Sequence, residues 1–168
     1  MSFISVLRAL TTTQRFAGVA LACAAALALA LLAQYGFGKQ PCPWCILQRL
    51  IYVTVGALGL FGALLRARPA RFVCAALVFV FALLGAAAAL WQNAVAAKSS
   101  SCNLTLADKV LNALGVETLM PTLFKVTANC ADAEVRVFGV AFEHWSLALY
   151  LVLAWVAISI LLKLRRGS

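Results

Sequence analysis

Four long apolar stretches constrain this chain more than any other feature of its sequence. They cover residues 16–35, 46–65, 72–91 and 145–162, are rich in alanine, leucine and valine, and contain no proline. Each has about the 20 residues that a helix needs to cross a bilayer, where a helix satisfies its own backbone hydrogen bonds. With 65% hydrophobic and 11% charged residues, the chain has too few charges for a soluble domain. We therefore expect residues 1–168 to form one all-α membrane domain, a four-transmembrane-helix bundle.

The first stretch could instead be a cleaved signal peptide, because Arg8 and Arg15 precede it. Its apolar run is longer than the roughly 7–15 residues of a signal sequence, and no small-x-small site closes it cleanly. We expect the stretch to remain as a membrane-spanning helix.

Positive charges indicate the orientation of the spans. One set of cations has no acidic residue beside it: Arg8, Arg15, Arg66, Arg68, Arg71, Lys163, Arg165 and Arg166. All the acidic residues lie within 92–144. The positive-inside rule then places both termini in the cytoplasm and makes 36–45 and 92–144 outward-facing loops. Topology and anionic lipid headgroups account for the net charge of +9, so no nucleic-acid partner is needed.

The second outer loop is expected to carry a short interfacial helix. Apolar residues recur at helical spacing between Leu104 and Leu119, and Asp108 and Lys109 lie off that stripe. Such a helix would lie on the outer membrane surface. Pro121 is expected to break it.

Four of the six cysteines are on the outward side: Cys42 and Cys45 in the first loop, and Cys102 and Cys130 in the second. An oxidising outer compartment permits disulfides. A structural disulfide is the simplest interpretation of the second pair taken alone.

The segment Cys42-Pro43-Trp44-Cys45 opens the second span. Proline suits the first turn of a helix, so Cys45 would face the positive end of the helix dipole, which favours a thiolate. Arg49 follows one turn later on the same face. An arginine within a span is a functional hypothesis by default, and the alternative is an anchor at the membrane interface.

Other reactive side chains have simpler interpretations. Cys23 and Cys74 lie inside apolar spans and are expected to behave as small buried hydrophobes. The one histidine, His144, stands just before the fourth span and is expected at the interface. Structural zinc needs four ligands at characteristic spacings, which the cysteines and this histidine do not provide, so we expect no metal.

The run from Cys42 to Arg49, C-P-W-C-I-L-Q-R, resembles the C-P-x-C-x-x-Q-R signature of the bacterial disulfide bond formation protein B family. The similarity covers essentially the whole chain, with four spans, a short first loop carrying C-x-x-C and a long second loop carrying the other pair. The segment Asn129-Cys130-Ala131, followed by Gly139 and Trp145-Ser146, is also similar to the family's second-loop end.

This resemblance implies an inner-membrane protein-dithiol:quinone oxidoreductase with periplasmic redox loops. It implies that a periplasmic thioredoxin-like dithiol oxidase, of the disulfide bond formation protein A type, attacks Cys102. Cys130 then exchanges with Cys42, and Cys45 is released as a thiolate beside a membrane quinone. Arg49 would lie near a quinone oxygen. Ubiquinone is the first expectation for the quinone and menaquinone the second.

The chain departs from the family pattern at three places. Family members commonly have a proline where this chain has Ser99–Ser101, and an aromatic residue where it has Val135. They also commonly have a proline two residues before the tryptophan that corresponds to Trp145, where this chain has Glu143. We expect these changes to affect loop conformation and partner choice more than the redox core.

Three alternatives remain. A protein resembling vitamin K epoxide reductase is disfavoured, because in that class the loop cysteines precede the C-x-x-C segment. In this chain Cys42 and Cys45 come first. A carrier that exports reductant would need a cysteine pair reachable from the cytoplasm, which Cys23 and Cys74 supply poorly. A non-catalytic membrane protein stapled by two disulfides would resist dithiol exchange.

Overall fold

The computed structural model describes residues 10–94, 105–128, 136–137 and 140–166. Its elements within those residues are α1 (Thr12–Leu31) with a π-helical turn (Leu32–Gly36), α2 (Pro43–Leu64), α3 (Arg68–Ala94), α4 (Leu106–Leu114), α5 (Val116–Leu119), α6 (Pro121–Phe124), β1 (Arg136–Val137), β2 (Val140–Ala141) and α7 (Phe142–Arg166). The two short strands pair antiparallel just before α7, a detail that hydrophobic periodicity did not predict.

In the part of the chain that the structure describes, four helices are long and apolar enough to cross a membrane: Thr12–Gly36, Pro43–Leu64, Arg68–Ala94 and Glu143–Arg166. They confirm the all-α, four-helix membrane fold. The helices extend beyond most of the expected span ends, because hydropathy falls at the first charged residue whereas a helix continues through the polar headgroup layer. That the whole chain forms a single domain stays a prediction.

The helices pack mainly as neighbours in sequence. Helices α1 and α2, α2 and α3, and α3 and α7 share the largest interfaces, while α1 and α7 touch much less. Fully buried side chains at their centre include Phe16, Val55, Val78 and Ile160. Arg15 is also buried, and its guanidinium donates to the Ser159 carbonyl at 2.9 Å. This bond ties α1 to α7 where their apolar packing is sparse.

A pair of stacked tyrosines joins three helices. The Tyr52 and Tyr150 rings lie 4.4 Å apart with an interplanar angle of 7°, and the Tyr150 hydroxyl donates to the Gln48 carbonyl at 2.9 Å. Gly85 on α3 makes room for this stack, because a Cβ there would lie 2.3 Å from the Tyr150 ring. The contact fixes α2, α3 and α7 close to the turn that carries the C-x-x-C segment.

The cations at one end of the bundle donate to main-chain carbonyls of neighbouring segments. The Arg68 guanidinium donates to the Leu164 carbonyl at 2.9 Å, and Lys163 donates to the Leu10 carbonyl at 3.2 Å. Charges that are distant in sequence therefore gather at one end, as the orientation argument requires.

The second-loop helix is divided, where the sequence predicted one helix broken by Pro121. Gly115 has φ 61° and ends α4 in the left-handed conformation. Pro121 starts α6 instead of only ending a helix, because a missing N–H costs nothing at a first helical position. Ala107 and Leu111 of the predicted stripe are buried, whereas Leu114 is 55% exposed, so only part of the stripe packs inward. That α4 lies on the outer membrane surface stays a prediction.

Candidate functional site

The C-x-x-C segment forms the first turn of α2. Cys42 is the N-cap, and its sulfur accepts a hydrogen bond from the Cys45 backbone N–H at 3.4 Å. Pro43 occupies the first helical position, as its place in the motif suggested. The Cys42 and Cys45 sulfurs lie 2.9 Å apart, within hydrogen-bond distance of each other. Cys42 is fully buried whereas Cys45 is partly exposed, so the two thiols have different access.

Two glutamines form a buried chain of hydrogen bonds that ends on Cys45. Gln48 Nε2 donates to Gln92 Oε1 at 2.7 Å, and Gln92 Nε2 donates to Cys45 Sγ at 3.4 Å. Sequence reasoning left Gln92 without a role. The signal that could have found it is the presence of two amides, 5% and 8% exposed, in helices that are otherwise almost entirely apolar.

Arg49 is buried and is held by neutral acceptors. Its Nη1 donates to Gln34 Oε1 at 2.6 Å and to the Leu123 carbonyl at 3.1 Å, and its Nη2 donates to the Ala30 carbonyl at 3.2 Å. An interfacial anchor would extend its charge to water, whereas this side chain is 6% exposed. Of its partners, Ala30 lies near the end of α1 and Gln34 lies in the π-helical turn that follows, and π-helical turns often mark functional sites.

The second loop is docked on the first loop beside this arginine. The Tyr35 hydroxyl donates to the Thr122 carbonyl at 2.6 Å, and the backbone N–H groups of Thr127 and Ala128 both donate to the Pro41 carbonyl, at 3.1 and 3.3 Å. The docked segment is thus next to the residue that precedes Cys42. Two predicted site residues, Cys102 and Cys130, lie outside the described residues.

A cavity of about 360 Å³ opens between α1, α2 and the start of α7. Its apolar wall runs along α1 and comprises Ala22, Ala25, Ala26, Leu29, Ala30 and Ala33. Its polar end includes Gln34, Cys45, Gln48, Arg49, Gln92 and Glu143. An apolar pocket with a few convergent polar groups is the usual form of a small-molecule site.

Glu143 takes an unexpected position. The sequence suggested that this departure from the family pattern would act on loop conformation, but the side chain lines the cavity and is 7% exposed. The residue next to it, His144, is exposed. The acidic side chain therefore belongs to the site.

The remaining described cysteines are away from this site. Cys23 and Cys74 are buried in the central hydrophobic core, as expected from their apolar surroundings. Among the residues that the structure describes, no group of three or more His, Cys, Asp or Glu side chains could hold a metal ion.

Comparisons with known proteins agree on one family. The family model described as Disulfide bond formation protein DsbB matches residues 12–160. Disulfide bond formation protein B 1 of Pseudomonas savastanoi pv. phaseolicola is 33% identical over 147 residues, covering 86% of each chain. Disulfide bond formation protein B of Chromobacterium violaceum is 34% identical over 141 residues, 81% of this chain and 84% of the relative. The corresponding protein of Aromatoleum aromaticum is 27% identical over 163 residues, 95% of this chain and 98% of the relative. The chain belongs to the disulfide bond formation protein B family and is a multi-pass membrane oxidoreductase that forms disulfide bonds.

Proposed function

We propose that this protein is an inner-membrane protein-dithiol:quinone oxidoreductase that reoxidises a periplasmic thioredoxin-like dithiol oxidase of the disulfide bond formation protein A type. The observation that carries the proposal is that Cys45, the more exposed thiol of the C-x-x-C pair, shares a cavity with the buried cation Arg49. Thiol–disulfide exchange only moves a disulfide between proteins, so an acceptor must remove two electrons for each disulfide made.

The shape of the cavity supports a membrane quinone as that acceptor. Its wall from Ala22 to Ala33 is about 16 Å long at 1.5 Å per helical residue, and this wall suits an apolar tail. The polar end suits a ring with carbonyl oxygens. Arg49 carries five N–H donors. Its three hydrogen bonds within the described chain use only some of them. When bound, a quinone supplies an acceptor for two electrons and two protons.

The loop contacts support a relay between the two cysteine pairs. Ala128 is hydrogen-bonded to Pro41, Cys42 follows Pro41, and Cys130 is two residues beyond Ala128. Two residues of chain span at most about 7 Å, a reach that allows exchange between Cys130 and Cys42. In the proposed sequence the partner attacks Cys102, Cys130 exchanges with Cys42, and Cys45 leaves as the thiolate.

The fixed surroundings of Cys45 suit it as the leaving thiol. Its position in the first turn of α2 and the N–H of Gln92 both favour a negative sulfur, and Arg49 adds a full positive charge to the same cavity. By contrast, a disulfide between Cys42 and Cys45 would close a very short loop. Such a bridge removes little entropy from the unfolded chain, which argues against a purely stapling role.

Charge distribution supports the orientation that this function needs. The cations near the Arg68–Leu164 contact gather at the end opposite the C-x-x-C turn. Under the positive-inside rule, that end and both termini are cytoplasmic. The redox loops then face the periplasm, where the proposed partner is found.

The test is an assay of the purified full-length protein with a reduced thioredoxin-like oxidase of the A type and ubiquinone or menaquinone. We expect oxidation of the partner's dithiol to be matched mole for mole by quinol. Four single variants, Cys42→Ser, Cys45→Ser, Cys102→Ser and Cys130→Ser, should each abolish turnover. Wild-type turnover in any of them would overturn the relay, and no quinone reduction by the wild-type protein would overturn the proposed function.

A further inference from the structure

One acidic residue lines the cavity at its polar end. Glu143 is 7% exposed and lines the cavity together with Cys45 and Arg49. Among the described residues it is the one acidic residue that is buried. Buried polar groups are nearly always hydrogen-bonded, and an isolated carboxylate is costly to bury. Such a group in a cavity points to a ligand or to a chemical role.

The proposed reaction moves two protons as well as two electrons, and the thiols alone do not deliver the protons to the acceptor. The partner's dithiol loses two electrons and two protons to become a disulfide, and the acceptor gains the same two electrons and two protons. Electrons reach the cavity at Cys45. The protons need a group beside the acceptor that can hold a proton and release it.

The other side chains that line the cavity are poorly suited to that task. Its four glutamine amides, at positions 34, 40, 48 and 92, do not exchange charge states, and arginine stays protonated in proteins. The Tyr52 hydroxyl is engaged as a donor to the Ser146 carbonyl at 3.3 Å. Lys39 is exposed at the cavity's edge. Of the lining residues in the described chain, Glu143 alone carries a carboxylate.

We propose that Glu143 is the proton-transfer residue of the quinone site. This inference rests on the proposed function. The carboxylate takes up a proton released when a thiol becomes a thiolate, and in the protonated form it donates that proton to an oxygen of the acceptor. Glu143 thereby returns to its starting state, so it carries protons without consuming them.

The experiment compares the wild-type protein with Glu143→Gln, which keeps the size of the side chain and removes the exchangeable proton. His144→Gln is the matched control, because His144 is adjacent and exposed. Three quantities are measured: steady-state quinone reduction with the reduced partner, partner oxidation in a single turnover without quinone, and equilibrium binding of quinone without the partner. General acid–base groups typically contribute about 10²–10⁴-fold, so kcat for quinone reduction should fall at least about a hundredfold.

For Glu143→Gln we expect the single-turnover rate and quinone binding to stay within about twofold of wild type. The solvent deuterium isotope effect on kcat should increase, and Glu143→Asp should recover part of the activity. Acetate added to Glu143→Ala should restore part of the rate. An unchanged kcat in Glu143→Gln would overturn the inference, as would an equal loss in the single-turnover step or weakened binding that explains the whole defect. If the wild-type protein itself reduces no quinone, the proposed function fails instead.

Discussion

Gln92 on α3 donates a hydrogen bond to the sulfur of Cys45 at the start of α2, with a distance of 3.4 Å between nitrogen and sulfur. Gln48 holds the amide in that orientation by donating to its oxygen at 2.7 Å. Because a hydrogen bond to a charged acceptor is stronger than one to a neutral acceptor, this fixed donor favours the thiolate over the thiol. The bond also links the redox pair to a helix that carries no cysteine of the proposed relay.

Replacing Gln92 with leucine should slow quinone-linked turnover by about tenfold or more, since a hydrogen bond to a charged group contributes about 1.5–3 kcal/mol. The measurement is kcat with the reduced partner and saturating quinone. Asn93→Leu, at the next position of α3, is the control and should remain near wild type. Equal rates in the two variants would show that the amide does not assist Cys45.

Removing the guanidinium of Arg49 should weaken use of quinone while leaving disulfide exchange intact. Arg49→Gln loses the bonds to Gln34, Leu123 and Ala30, and we expect KM for quinone to rise about tenfold or more. Arg49→Lys should be intermediate, because lysine keeps the charge but lacks the planar fork. An unchanged KM and rate in Arg49→Gln would reduce the residue to an anchor.

Adding one methyl group at Gly85 should destabilise the bundle. In Gly85→Ala the new Cβ would lie 2.3 Å from the Tyr150 ring, and overpacking of this kind costs about 1–3 kcal/mol. The matched control is Gly18→Ala, where a Cβ meets nothing within 4 Å and helix propensity improves by up to about 1 kcal/mol. Thermal unfolding in detergent should show a lower midpoint for the first variant alone. The same midpoint in both would mean that the tyrosine stack can shift freely.

The double variant Cys23→Ala/Cys74→Ala should retain turnover within about twofold. Both thiols are buried in the central core, where a cysteine acts as a small hydrophobe, so the expected cost is in stability. Quinone-linked turnover and thermal midpoint are measured on the same preparation. Loss of turnover with an unchanged midpoint would instead bring one of these cysteines into the electron path.

The sequence was sufficient to predict the membrane-spanning helices, because lipid imposes a length and an apolar composition on any span. It also placed Pro43 and Cys42 at the start of α2, since capping preferences act over a few residues. The division of the second-loop helix was not predicted, because apolar periodicity continues across Gly115 and only its left-handed backbone stops the helix. The local sequence pattern therefore predicts the presence of a helix better than it predicts where the helix is interrupted.

The site was harder to predict because its side chains come from separate helices. Arg49 could be found from its spacing to Cys45, but its acceptors on α1 and α6 depend on tertiary packing. Gln92 is 47 residues away from Cys45, beyond the range of any motif. Glu143 was visible as a departure from a pattern, yet its burial in the cavity follows only from how α7 packs.

Of the three acceptors that hold Arg49 within the described residues, two are main-chain carbonyls, at Ala30 and Leu123. A carbonyl is present whatever side chain the residue bears, so substitution at these two positions leaves the acceptors in place as long as the helices do. Gln34 is the exception, since its acceptor belongs to the side chain. We therefore expect related sequences to vary widely at the positions of Ala30 and Leu123 and little at the position of Gln34. A redesigned site could change the side chains of the cavity wall without releasing Arg49.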